Sequence, residues 1–181
     1  MPTFPRPTRR QFLKVGLASG AVLAGAGWLA MRGGRVPAAG YGWLDARAAR
    51  IVTAIVPAVL AGALPEAPVA RKQAIGEATA AFDRAISGLS PAVQEEIAQL
   101  FSLLGLAAGR FIVAGVRSEW HEATPEELHA FLRRWRESRF GLLRAGYQAL
   151  TQLIQAAWYG NPASWERIGY PGPPSLESRP A

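Results

Sequence analysis

The sequence predicts an all-α protein, a small bundle of about five helices, and three observations carry that expectation. Apolar residues recur at spacings of three and four through most of the chain beyond residue 43. Alternation with a period of two, the mark of a half-buried strand, is convincing nowhere. Glycine and proline fall mainly between the periodic stretches, where they stop one helix and open the next.

The first element lies ahead of the bundle. Thr8-Arg9-Arg10-Gln11-Phe12-Leu13-Lys14 is followed by Val15 to Met31, a stretch without a charged residue. Gly16, Gly20, Gly25 and Gly27 dilute its apolar character, and it is shorter than the roughly 20 strongly apolar residues of a spanning helix. A basic start followed by a mild apolar run is the layout of an export leader. Arg32 and Arg35 behind it disfavour the general secretory route. Thr8, Arg9, Arg10, Phe12, Leu13 and Lys14 fill the positions of the twin-arginine (Tat) consensus, so residues 1–38 are expected to engage the Tat translocase and carry a folded protein to the periplasm. Small residues suit cleavage between Ala38 and Ala39, after Val36-Pro37-Ala38, or before Gly27, after Ala24-Gly25-Ala26. An uncleaved leader would instead leave the protein membrane-associated.

The net charge of +7 belongs to that leader. Arg6, Arg9, Arg10, Lys14, Arg32 and Arg35 precede the first acidic residue, Asp45, and the rest of the chain holds 14 Lys and Arg against 13 Asp and Glu. A nearly neutral body removes the electrostatic case for nucleic acid. The absence of cysteine excludes disulfides, thiolate-bound zinc, iron–sulfur clusters and a C-x-x-C-H haem attachment.

Residues 39–160 are expected to form one helical domain. Its first helix runs from about Leu44 to Leu60, with Leu44, Ala48, Ile51, Ile55 and Val59 on the buried face, and ends at Gly62 and Pro65. A second spans about Ala70 to Ile86, with Ile75, Phe82 and Ile86 inward, and stops at Gly88. Ser90 before Pro91 reads as an N-cap opening a third to about Leu106, with Val93, Ile97, Leu100, Phe101 and Leu104 facing the core. Thr124-Pro125-Glu126-Glu127 is a capping box for a fourth, carrying Leu128, Phe131, Leu132 and Trp135. Leu143, Tyr147, Leu150, Ile154, Ala157 and Trp158 define a fifth. Ser138 to Gly141 either separates the last two or bends a single long helix. Residues 161–181, rich in Pro, Gly and aromatic residues, form an irregular tail.

Chemistry-bearing residues are few. Glu126-Glu127-Leu128-His129 contains the Glu-x-x-His step of helical di-iron proteins, but such a site needs that step twice, and His121, the only other histidine, has Ser118 in the partner position. Glu119, His121 and Glu122 could move protons, yet in a turn they read more simply as solvated groups. No catalytic residue, bound cofactor or metal is expected in this chain. Arg133, Arg134, Arg136, Arg139 and Arg144 are either a solvated helix face or a surface for an acidic partner. The tail aromatics either pack back on the helices or dock on a partner, and the two are compatible.

The Tat string, the segment from Phe131-Leu132-Arg133-Arg134-Trp135 to Arg144-Ala145-Gly146-Tyr147-Gln148-Ala149-Leu150, and the ending Ala157-Trp158-Tyr159 to Trp165 with Ile168-Gly169-Tyr170-Pro171-Gly172-Pro173 together resemble the gluconate 2-dehydrogenase subunit 3 family. That family comprises Tat-signal-bearing small subunits of periplasmic dehydrogenases. The resemblance lies mostly in the second half of the chain. It implies a non-catalytic partner that helps mature and co-export a large FAD-dependent subunit of the glucose–methanol–choline oxidoreductase type, acting on a sugar, sugar acid or alcohol. A cytochrome c subunit often accompanies such a pair. Trp135, Arg139, Trp158, Tyr159, Trp165, Gly169, Tyr170 and Pro171 are the residues expected to touch the partner. The competing expectation is a stand-alone Tat-exported helical enzyme or ligand-binding protein using Glu119, His121, Glu126 or His129.

Overall fold

The computed structural model describes residues 36–165 and 169–172. The Tat residues Thr8 to Lys14, the Ala26 cleavage position and the end of the tail lie outside the described residues. Within them the chain is all-α. Five α-helices follow one another: α1 (Ala46–Val59), α2 (Pro68–Ser87), α3 (Pro91–Gly105), α4 (Pro125–Arg136) and α5 (Gly141–Tyr159). A π-helical turn, Gly109–Ala114, lies between α3 and α4, and a 3-10 turn, Pro162–Ser164, follows α5.

The hub is α1, which packs against α2, α3, α4 and α5. Ile51, Val52, Ile55 and Val56 are fully buried, a run of adjacent apolar pairs that gives the helix more than one inward stripe. Asp45 caps its start by accepting from the Arg47 and Ala48 amides at 2.9 and 2.7 Å. Pro57 sits inside the last turn, so Thr53, one turn back, has no Pro57 N–H to receive. Leu44 is fully buried in the segment before the helix.

That preceding segment is held by a buried carboxylate on α2. Asp83 Oδ2 accepts from the Gly42 amide at 2.8 Å, and Oδ1 from Trp43 and Leu44 at 2.9 and 2.7 Å. Three charge-assisted bonds replace the water a buried carboxylate gives up. The Ala38 amide donates to the Leu44 carbonyl at 2.8 Å, and its carbonyl accepts from Tyr41 at 3.0 Å. A cut between Ala38 and Ala39 would therefore remove a residue bonded into the domain.

Two aromatic clusters fill the core. Trp43 and Phe82 meet Phe101 edge-on at 6.3 and 6.1 Å, and Phe131 meets Trp120 at 5.8 Å and Trp135 at 4.8 Å. The Trp120 indole donates to the Leu104 carbonyl at 3.0 Å, tying the loop before α4 to the end of α3.

The structure corrects the expectation at Val93, refines those at Ser90, Ile75 and Leu100, and decides between the alternatives at Ser138 to Gly141. Val93 is 40% exposed, because α3 turns Ile97, Phe101 and Leu104 inward and Val93 lies in its first turn. Ser90 occupies the N-cap position of α3 without a side-chain capping bond. Ile75 and Leu100 are partly buried at the edge of the core. Ser138 to Gly141 is a break: α4 ends at Arg136, Phe140 is extended (ψ 118°), and the Ser138 hydroxyl receives the Phe140 amide at 3.1 Å.

Candidate functional site

Three surfaces gather the residues with chemical or binding potential. The first is a groove of about 590 Å³ between α1, the start of α2, α4 and the loop before α4, within the range of small-molecule sites. Its floor includes Ala49, Ala54, Pro57, Ala58 and Leu128, and its polar lining is Arg50, Thr53, Arg71, His121 and His129. Both histidines of the chain thus reach one groove from different elements. Glu122 lies 3.5 Å from His121 Nε2, and Glu119 pairs with Arg110. The Arg110 guanidinium holds the Glu119 carboxyl below its ordinary value. Glu126 is held low by its own backbone amide and the Thr124 hydroxyl. These are the signs of ion-paired and capped surface carboxylates, without the raised value of a general acid.

Glu127 has a larger structural part than the sequence suggests. The capping box forms as expected: the Glu127 amide reaches Thr124 Oγ1 at 3.3 Å, and Glu127 Oε2 accepts from the Thr124 amide at 3.2 Å. The same carboxylate accepts from the Ser118 hydroxyl at 2.7 Å and the Arg117 amide at 3.3 Å. It therefore clamps both ends of the loop carrying Glu119 and His121. The Ser118 hydroxyl, then the Thr124 amide, hold its carboxyl below the ordinary value.

The second surface is the start of the tail. The Trp165 indole donates to the Tyr159 carbonyl at 2.7 Å, and its ring meets Tyr170 edge-on at 5.4 Å. Gly169 turns the chain with φ +67°, and Gly172 closes against the Trp165 ring. Tyr159 and Tyr170 are 43% and 44% exposed, and Pro171 is exposed too. The result is a small aromatic hook at the C-terminal end of α5.

The third surface is the corner at the other end of α5. Trp135 anchors it from inside: its indole donates to the Val113 carbonyl of the π-helical turn at 2.9 Å, and its six-membered ring lies against Gly146 of α5. Gly115, with φ +69°, ends the turn beneath the Arg134 guanidinium. Phe111 and Ile112 of the π-helical turn and Phe140 and Leu142 at the start of α5 are 58, 74, 57 and 81% exposed. Arg133, Arg134, Arg136, Arg139 and Arg144 are all exposed, on α4, the junction after it and the first turn of α5. Arg139 stacks over Phe140 at 4.9 Å, Arg144 Nη1 donates to the Ser138 carbonyl at 2.6 Å, and Arg136 pairs with Glu137 at 2.9 Å. Sequence reasoning missed the apolar half of this corner, since the π-helical turn has no helical period to announce it.

The residues expected to touch a partner therefore divide. Trp135 and Trp158 are 1% and 5% exposed and belong to the core, a correction that follows from their helical spacing with Phe131 and Ile154. Tyr159, Trp165, Gly169, Tyr170 and Pro171 form the hook. Arg139 stands at the opposite end of α5. Among the described residues no group of three or more His, Cys, Asp or Glu is gathered to hold a metal ion, and no helix is long and apolar enough to cross a membrane.

Among the described residues these features define a small all-α domain with an open groove and exposed aromatic or apolar side chains at both ends of α5. Compared with models of protein families, with curated proteins and with solved structures, the chain matches none.

Proposed function

We propose that this protein is a non-catalytic small subunit that binds a large FAD-dependent dehydrogenase in the cytoplasm, helps it mature and takes it across the membrane by the Tat route. The single observation carrying this reading is the string Thr8-Arg9-Arg10-Gln11-Phe12-Leu13-Lys14 ahead of a mild apolar run. Tat exports folded cargo, and a signal on a helical subunit serves a signal-less flavoprotein that must load its cofactor first. The aromatic hook supports the reading, because Tyr159 and Tyr170 offer rigid amphipathic contact area that costs little ordering on association. The partner acts on a sugar, sugar acid or alcohol, with a cytochrome c subunit as electron acceptor.

The test is deletion of residues 1–38 in the native cell, followed by assay of FAD-dependent dehydrogenase in periplasmic and cytoplasmic fractions. The activity moves to the cytoplasm if the leader serves a partner. Normal periplasmic activity would sink the idea.

A second reading, a Tat-exported ligand-binding protein, is favoured by the convergence of His121, His129, Arg50 and Arg71 on one groove. Native mass spectrometry of the purified protein separates the two: a small molecule retained by the wild type and lost in His129→Ala supports the second reading.

A further inference from the structure

We infer that the corner built from the π-helical turn and the α4–α5 junction attaches the folded domain to an anionic membrane surface. This rests on the corner's own residues and is independent of the partner reading.

Phe111 and Ile112 extend from the π-helical turn, and Phe140 and Leu142 from the start of α5, each more than half exposed. Trp135 joins the two pairs, because its indole N–H holds the Val113 carbonyl while its ring edge supports Gly146. Arg133, Arg134, Arg136, Arg139 and Arg144 are exposed on α4 and the start of α5, where Glu137 is the one carboxylate between residues 128 and 165, while Arg110 of the turn is paired with Glu119. Elsewhere the body of the chain holds 9 Lys and Arg against 12 Asp and Glu, so this density of positive charge is local.

Large apolar side chains beside arginines suit an interface in which hydrocarbon lies behind a layer of phosphates. The apolar tips enter the boundary between headgroups and acyl chains, and the guanidinium groups meet lipid phosphate. An acidic protein would match the charge but not the shape. Anchors in protein interfaces sit in pockets or flat, closely packed patches, whereas these four residues project from a turn and a helix start. The groove between α1 and α4 is lined by none of them.

The absence of cysteine gives a clean test. In the full chain, Ala108→Cys beside the turn carries an environment-sensitive fluorophore, and Glu95→Cys on α3 carries the same label as a control for binding through the leader. The Ala108 label shifts to the blue on vesicles of phosphatidylglycerol in phosphatidylcholine and is quenched by brominated acyl chains, while the Glu95 label does neither. Phosphatidylcholine alone gives no shift, and Phe111→Ser with Ile112→Ser weakens the response about tenfold or more while leaving the circular dichroism unchanged. An Ala108 label that ignores anionic vesicles, labels that respond alike, or an Ala108 label buried only by an acidic protein would each overturn the inference.

Discussion

Asp83 holds three backbone amides with two oxygens from a position that is 4% exposed. Asp83→Ala should lower unfolding free energy by about 3 kcal/mol, the range for losing hydrogen bonds to a buried charge and leaving their donors unmet. Asp45→Ala, which removes an ordinary helix cap, should cost only about 1 kcal/mol. Urea denaturation followed by helical circular dichroism ranks the pair, and equal midpoints would contradict the account. Gly146→Ala opposes two effects at one position. Alanine is the better helix former by up to about 1 kcal/mol. Its Cβ, however, would lie 2.7 Å from a Trp135 ring carbon, and overpacking of that kind costs about 1–3 kcal/mol. The clash should win, with a net loss of about 1 kcal/mol in the same assay. Neither Asp83 nor Gly146 could be read from the sequence. The amides that Asp83 binds are about forty residues away, and a glycine packed against a tryptophan of the preceding helix leaves no local mark.

At the scale of elements, Glu127 joins a loop to a helix through a carboxylate that must be charged. Its folded value is depressed, so the stabilisation is present in full above the unfolded carboxylate value of about 4.3 and is lost as pH falls through the folded value. Glu119 and Glu126 are depressed too and act in the same direction. The stability difference between wild type and Glu127→Gln should therefore be constant above about pH 5 and shrink as the solution is acidified below about pH 4. A difference that grew on acidification would reverse the sign and refute the clamp. Thr124→Ala, which removes the hydroxyl that accepts from the Glu127 amide, should cost about 1 kcal/mol, with an acid dependence only through Glu126, whose carboxyl the same hydroxyl holds low. The capping box was legible because its partners sit three residues apart. The π-helical turn was not, because Gly109 and Gly115 have no periodic apolar frame between them. Only the fold reveals that a Cβ on Gly109 would overlap the Leu103 carbonyl oxygen.

At the scale of the molecule, α5 sets the aromatic hook apart from the arginine corner. Its 19 residues span about 28 Å at 1.5 Å each. A partner at one end and a lipid surface at the other could be engaged together, which the sequence alone did not suggest. It grouped Arg139 with Trp158 and Trp165, and it offered Trp135 and Trp158 as contacts, because aromatic residues at helical spacing look the same whether they face a neighbour or the core. The hook and the core can be separated by ending the chain after Asn161. The apolar core lies between Trp43 and Trp158, so the truncated protein should keep its helical signal. Losing the Trp165–Tyr170 contact and the Pro162–Ser164 turn should lower Tm by no more than about 5 °C for a domain of this size. If the proposed function holds, export of a flavoprotein partner should nevertheless fail, because Trp165 and Tyr170 are gone while the leader remains. Loss of the helical signal would assign the tail to stability instead, and full export by the truncated chain would move the docking surface away from the hook.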